Sequence, residues 1–182
     1  NEPISVTPLY TDAGFWKVFT FRFLHGKPFT QADIDAKRRE VVLPVSVARK
    51  LFATDDVVGR RFNMDAQEYR VCGVVEDVSA ATPSSVGDMW LPITLNSWVT
   101  SDATGKLVGS VGIYMTAPDA EDKEALKEEV REVFRKLNLA SDKYMNDLMG
   151  QPDDYWASTF RFDSCSAPDL ASELRMYLYM LL

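Results

Sequence analysis

Glu40-Val41-Val42-Leu43-Pro44-Val45-Ser46-Val47-Ala48-Arg49-Lys50-Leu51-Phe52 is the stretch on which the fold turns. Glu40 to Val45 is a short, almost continuous apolar run, the pattern of a buried strand. The period then changes. Val47, Ala48, Leu51 and Phe52 fall on one helical stripe, which predicts a helix over 47–52. Ser46 precedes it and is of a type that accepts from the free amides of a first helical turn.

Working toward the C-terminus, Val57-Val58-Gly59-Arg60 reads as a turn. Arg61-Phe62-Asn63-Met64 and Tyr69-Arg70-Val71-Cys72-Gly73-Val74-Val75 follow as hairpin strands around Asp65-Ala66-Gln67. Glu76 to Gly87 is rich in Ser, Ala and Thr and reads as loop, and Asp88 to Ile93 as a further strand. Asn96 to Lys106 is polar, and Val108 to Thr116 is β-prone. Pro118-Asp119 opens the clearest helix, running to about Leu139 with Leu126, Val130, Val133, Phe134 and Leu137 on one face. Glu132 and Lys136 can pair at i,i+4 on the other. Ser141 to Asp154 is a long connection, Ser158 to Asp163 a last strand, and Pro168-Asp169 opens a terminal helix.

Toward the N-terminus, Thr30-Gln31-Ala32-Asp33 resembles a capping box and predicts a polar helix to about Arg39. Phe21 and Phe23 alternate with Arg22 as a half-buried strand that His25-Gly26-Lys27-Pro28 ends as a turn. Thr11-Asp12-Ala13-Gly14 supplies cap residues for a short helix over Phe15 to Phe19, and Ile4-Ser5-Val6 starts as a strand. Strands interleave with a few helices, so the class is α+β.

The chain has 182 residues, 46% hydrophobic and 26% charged, enough for a packed core. Its net charge is −7 and its longest basic run is Lys37-Arg38-Arg39, which argues against nucleic-acid binding. The C-terminal run Met176 to Leu182 is unbroken and apolar. Two readings stay open for it: a core helix, or the first turns of a transmembrane helix, since a span needs about 20 residues.

Chemistry is sparse. His25 is the sole histidine and sits in a turn, so a Ser-His-Asp or Cys-His arrangement would have to be built on it. The adjacent acids Glu76-Asp77 and Asp153-Asp154 would point to opposite faces of a strand and form no acid/base pair. Gly109-Ser110-Val111-Gly112 lacks the Lys-Ser/Thr of a P-loop and the third glycine of a dinucleotide fingerprint. Cys72, inside an apolar stretch, behaves as a small buried hydrophobe, and the spacing leaves a pairing with Cys165 open. No cofactor, metal or catalytic residue is expected, so the domain itself is no enzyme. Phe15, Trp16, Phe19, Phe21 and Phe23 read as core. For Met89, Trp90 and Trp98 two readings stand, buried packing or an aromatic contact for a partner.

Three stretches, in order, carry a family resemblance. They are Tyr10 with Phe15-Trp16-Lys17-Val18-Phe19 and Phe23-Leu24-His25-Gly26-Lys27-Pro28-Phe29-Thr30; Val41 to Phe52 with Val58-Gly59-Arg60; and Tyr69 to Val78 with Trp90-Leu91-Pro92. Together they resemble the periplasmic core domain of MacB-type ABC-transporter permeases. Pro44 and Cys72 stand where that family more often has an aliphatic residue.

The resemblance implies two lobes. Residues 1–39 plus 98–170 would form a membrane-proximal, porter-like lobe of strand-helix-strand units. Residues 40–97 would be an inserted, smaller membrane-distal lobe, and 171–182 the start of a helix leading into a transmembrane segment. Residues 1 and 182 would both face the membrane. It further implies a place at the cytoplasmic membrane facing the periplasm or exterior. The partners would be a cytoplasmic ABC ATPase, a second permease copy and a membrane-fusion or adaptor protein, in export or efflux. Two other classes compete with it: an extracytoplasmic sensor or ligand-binding domain, and a secreted carboxylate-dependent hydrolase.

Overall fold

The structure, a computed structural model, describes residues 5–80, 82, 84–100, 111–140 and 152–154. The chain divides into two compact units, residues 1–114 and 115–182.

The first unit is organised by one strand. β3 (Glu40–Pro44) is buried at every position. Val41 and Leu43 enter one core and Val42 the other, as alternation on a strand requires. β5 (Gln67–Val75) runs parallel to β3 on one side, and β6 (Met89–Pro92) meets β3 on the other. β1 (Pro8–Thr11) lies parallel to β6, which gives the order β1-β6-β3-β5-β2. β2 (Phe23–Gly26) pairs antiparallel with the last residues of β5, and β4 (Arg61–Met64) with its first. β2 and β4 therefore share one edge of β5, end to end.

Each face of this sheet has its own cover. α3 (Val45–Phe52) places Val47 and Ala48 against Val41, Leu43, Val71 and Leu91. On the opposite face, α1 (Phe15–Val18), α2 (Gln31–Asp35) and the segment before α2 bring Phe15, Ile34 and Phe29 onto Val42, Val75 and Trp90. Trp16, Phe19, Phe21 and Phe23 pack around that second core. Ring centroids lie 4.8 Å apart for Phe15–Phe19 and 5.2 Å for Phe21–Trp90, within the range of favourable aromatic pairs.

The two-core arrangement needs a change of parity along β5. Tyr69 and Val71 face the α3 side, yet so does Val74. The switch is a bulge: Val41 pairs with Val71 but Val42 pairs with Gly73, leaving Cys72 as the extra residue. The Cys72 thiol donates to the Val41 carbonyl at 3.3 Å. Beside it, Gly26 has φ +67, and a Cβ there would lie 2.2 Å from the Cys72 carbonyl oxygen. Only glycine fits this crossing.

Several local expectations hold. Thr30 and Asp33 form a reciprocal capping box. Asp12 accepts from the Phe15 amide at 2.9 Å. Asp65 and Ala66, both at positive φ, make a two-residue hairpin turn between β4 and β5.

Others are corrected. Among the described residues the first strand is Pro8–Thr11, and Ser5 and Val6 precede it outside any strand; Pro8 is tolerated because it begins an edge strand. His25 and Gly26 belong to β2 and not to a turn, because β5 offers them partners. α2 ends at Asp35 instead of Arg39, and Lys37 adopts φ 50. α3 starts at Val45, and Ser46 does not cap it: the Ser46 amide donates to the Asp77 carboxylate at 3.0 Å, from a loop 31 residues away. Part of the polar stretch after Leu95 is helical, α4 (Ser97–Thr100), preceded by a 3-10 turn at Ile93–Leu95. Residues 111–116 form no strand.

Strands from 8–26 and from 40–92 pair with one another in one continuous sheet. The compact units divide between Tyr114 and Met115. The expected strand 158–163, the terminal helix, Cys165 and the apolar C-terminus lie outside the described residues.

In the second unit, α5 (Ala120–Ala140) begins where Asp119 accepts from the Asp122 amide at 2.9 Å. Pairs such as Glu128–Arg131 and Glu132–Lys136 line its polar side. Leu126, Val130 and Phe134 are half-buried, whereas Val133 and Leu137 are exposed. Among the described residues no helix is long and apolar enough to cross a membrane.

Three outcomes follow from this packing. Trp90→Ala should destabilise the fold by about 3–5 kcal/mol in urea titrations, as a fully buried aromatic does; an exposed contact residue would cost about 0.5 kcal/mol or less. Gly26→Ala should cost about 2–5 kcal/mol from backbone strain plus the clash with Cys72. Asp33→Asn should cost about 1 kcal/mol at neutral pH through the capping box. Asp33 is held below the usual carboxylate range, chiefly by the Thr30 hydroxyl and amide, so its contribution is full above the ordinary carboxylate pKa of about 3.9 and is lost as pH falls below it. Melting curves of both proteins between neutral and acid pH should therefore converge.

Candidate functional site

Of the three residues read as buried packing or partner contact, Met89 and Trp90 lie in the interior. Met89 and Trp90 are 1% and 0% exposed, so neither side chain offers a surface. The Trp90 indole donates to the Ser85 carbonyl at 3.2 Å, satisfying the one polar atom that burial would otherwise strand. The side chain of Trp98 lies outside the described residues. Sequence reasoning saw aromatics beside a polar loop; it could not see that β6 is covered on both faces.

The structure brings a different set together. Where β4 ends and β2 begins along β5, the edge opens into a cleft of about 630 Å³. Its apolar lining comes from Pro28, Phe29, Val58 and Cys72. Its charged lining comes from Lys27, Asp33, Arg38, Glu40 and Arg70. Gly59, at φ +84, also borders it, and the direction of its missing Cβ is open space.

The charges are ordered by the same strands that make the sheet. Glu40 opens β3 opposite Arg70 of β5, and the Arg70 guanidinium bonds it through Nε at 2.9 Å and Nη2 at 2.6 Å. The Glu40 side chain is only 7% exposed, whereas that of Arg70 is 53% exposed. A buried carboxylate needs such a pair. The Glu40 hydrogen bond in turn raises the Arg70 pKa, so the guanidinium stays charged. Arg38 reaches Asp33 at 2.9 Å, beside the capping box. Burial, with a smaller contribution from Glu40, pushes the Cys72 thiol up to about 12, so it is a neutral thiol and no nucleophile at physiological pH.

His25 lies away from this lining, its Nε2 3.8 Å from Asp55. Asp55 is held low first by its hydrogen bond to Arg49. The cluster has the composition of an ion-pair network, and among the described residues no hydroxyl or thiol nucleophile completes a triad in it. The adjacent acids go separate ways: Glu76 pairs with Arg22 at 2.8 Å, while Asp77 caps α3. Among the described residues no three His, Cys, Asp or Glu side chains converge as a metal site would need.

Known proteins give the frame for this geometry. The family model for the MacB-like periplasmic core domain matches residues 1–133. A search of curated protein sequences finds no match. Among solved structures, a domain of a putative permease protein from Porphyromonas gingivalis is 21% identical, with a TM-score of 0.51; the match covers 75% of this chain and 61% of that one. The periplasmic region of MacB from Actinobacillus actinomycetemcomitans is 22% identical at TM-score 0.45, covering 67% and 54%. The extracellular domain of the noncanonic ABC-type transporter YknZ from Gram-positive bacteria is 21% identical at TM-score 0.41, covering 52% and 46%. The chain thus spans about half to three-fifths of the length of these structures, and at such identities the likeness to the Porphyromonas domain speaks for the fold alone. The family match, running through both covers of the sheet and most of α5, settles the relationship: the chain belongs to the MacB-like periplasmic core domains of ABC-transporter permeases.

Proposed function

We propose that this domain stands outside the cytoplasmic membrane as part of an ABC-transporter permease and passes ATP-driven movement of the membrane helices to substrates or partner proteins there, in export. The observation that carries this reading is the family match over residues 1–133. Two further features support it. The interior is spent on packing, with Met89 and Trp90 in the core and Cys72 held as a neutral thiol. The sheet of the first unit is locked through β3 and β5 from both faces, which suits a body that moves as a whole and not one that deforms.

In this reading ATP is hydrolysed on a cytoplasmic ABC ATPase. A second permease copy completes the transporter, a membrane-fusion or adaptor protein is a candidate partner, and flanking transmembrane helices tie the domain to the bilayer. The cargo is left open, since nothing in the lining or the sheet selects one.

The test uses the full-length permease with its ATPase in vesicles. A flexible Gly-Ser insertion after Thr116, just beyond the division between the two units, should lower transport about tenfold while basal ATP hydrolysis changes less than about twofold. Unchanged transport with the insertion would show that no movement is passed through this segment.

A further inference from the structure

The cleft beside the Cys72 bulge carries an inference that does not depend on the transporter reading. Three cationic side chains, Lys27, Arg38 and Arg70, line it against two carboxylates, Asp33 and Glu40. The excess is one positive charge, in a chain whose net charge is −7. An anion is thus attracted to this point on a molecule that repels it elsewhere.

The donors there are not exhausted. Arg70 uses Nε and Nη2 on Glu40, which leaves Nη1, on a side chain that is half exposed. Arg38 uses Nη1 on Asp33, and its side chain is 61% exposed. Lys27 is exposed and enters no ion pair among the described residues. Glu40 and Asp33 fix two of the cations, so little side-chain entropy is lost when a ligand arrives. Beside these charges and Thr30, the lining carries apolar side chains: Pro28, Phe29, Val58 and Val71, with the neutral Cys72 thiol. Val58 is 44% exposed, an apolar side chain that the fold itself leaves uncovered.

We propose that this cleft binds a carboxylate attached to a small apolar group, the chemistry shared by an N-acylated apolar amino acid and by the C-terminus of a peptide. The carboxylate meets the spare donors of Lys27, Arg38 and Arg70. The apolar group covers Val58 and Pro28. β4 pairs with β5 only up to Arg70 and β2 only from Gly73, so the bulged Cys72 falls between them, and Gly59 contributes no side chain to block the opening.

The experiment titrates the isotopically labelled 182-residue chain with N-acetyl-leucine at low ionic strength and follows backbone amide signals. The signals of Gly26, Gly59 and Cys72 should shift saturably, with a dissociation constant of about 1–10 mM. N-acetyl-leucinamide and acetate should each bind about tenfold more weakly, the first for want of the charge and the second for want of the apolar group. A pentapeptide ending in leucine separates the sources: binding tighter than N-acetyl-leucine points to a chain terminus, and equal binding to a small molecule. Lys27→Glu and Val58→Glu, both at exposed positions, should each weaken binding about tenfold and leave amide signals outside the cleft unchanged. Absence of saturable shifts, shifts centred away from the cleft, or equal binding of the acid, the amide and acetate would overturn the proposal.

Discussion

The extra residue at Cys72 is the constraint on which the first unit depends. A strand between two cores must send alternate side chains to opposite faces. β5 begins with Tyr69 and Val71 toward α3 and must end with Val75 toward the aromatic side. β3 keeps strict alternation through Val41, Val42 and Leu43, so the two strands can stay paired only if one of them slips by a residue. Cys72 is that residue. Its small, neutral side chain occupies the slip without needing a polar partner beyond the Val41 carbonyl. A charged side chain in its place would be carried into the second core uncompensated.

The same slip sets the edge. β4 pairs with β5 up to Arg70 and β2 takes over from Gly73, so the neighbouring strand is interrupted where the bulge lies. Gly26 permits the close approach, and the ion pair of Glu40 with Arg70 ties β3 to β5 just below it. Packing, register and charge thus meet in one place, and the cleft is their joint product. Such a site differs from an active centre in kind. Its carboxylates are committed to guanidinium partners, and its thiol is protonated, so it is equipped to hold a ligand and not to transform one.

How much of this was legible in the sequence depended on how local the cause was. The capping box at Thr30 and Asp33, the hairpin around Asp65-Ala66-Gln67 and the strand from Glu40 to Val45, which ends at Pro44, each rest on neighbours within a few residues, and each is readable. The capping box at Thr30 predicts a helix to about Arg39, but α2 ends at Asp35. It stops because Arg38 turns back to Asp33 and the chain must enter β3 at Glu40. Ser46 is the polar residue nearest the start of α3, whereas a carboxylate from a distant loop receives its amide. Nothing near Pro8 announces β6 as the partner of the first strand.

Alone, then, the sequence determined the buried strand β3 and the helix after it, the aromatic core candidates and, through three ordered motifs, the family. Each of these follows from residue spacing along the chain, which folding does not alter. Only the tertiary structure decided that Met89 and Trp90 are interior, that residues 8–26 share a sheet with 40–92, and that Lys27, Arg38 and Arg70 border one cleft. Those facts depend on register between strands remote in sequence, and a shift of a single residue at Cys72 would send a different set of side chains to each face.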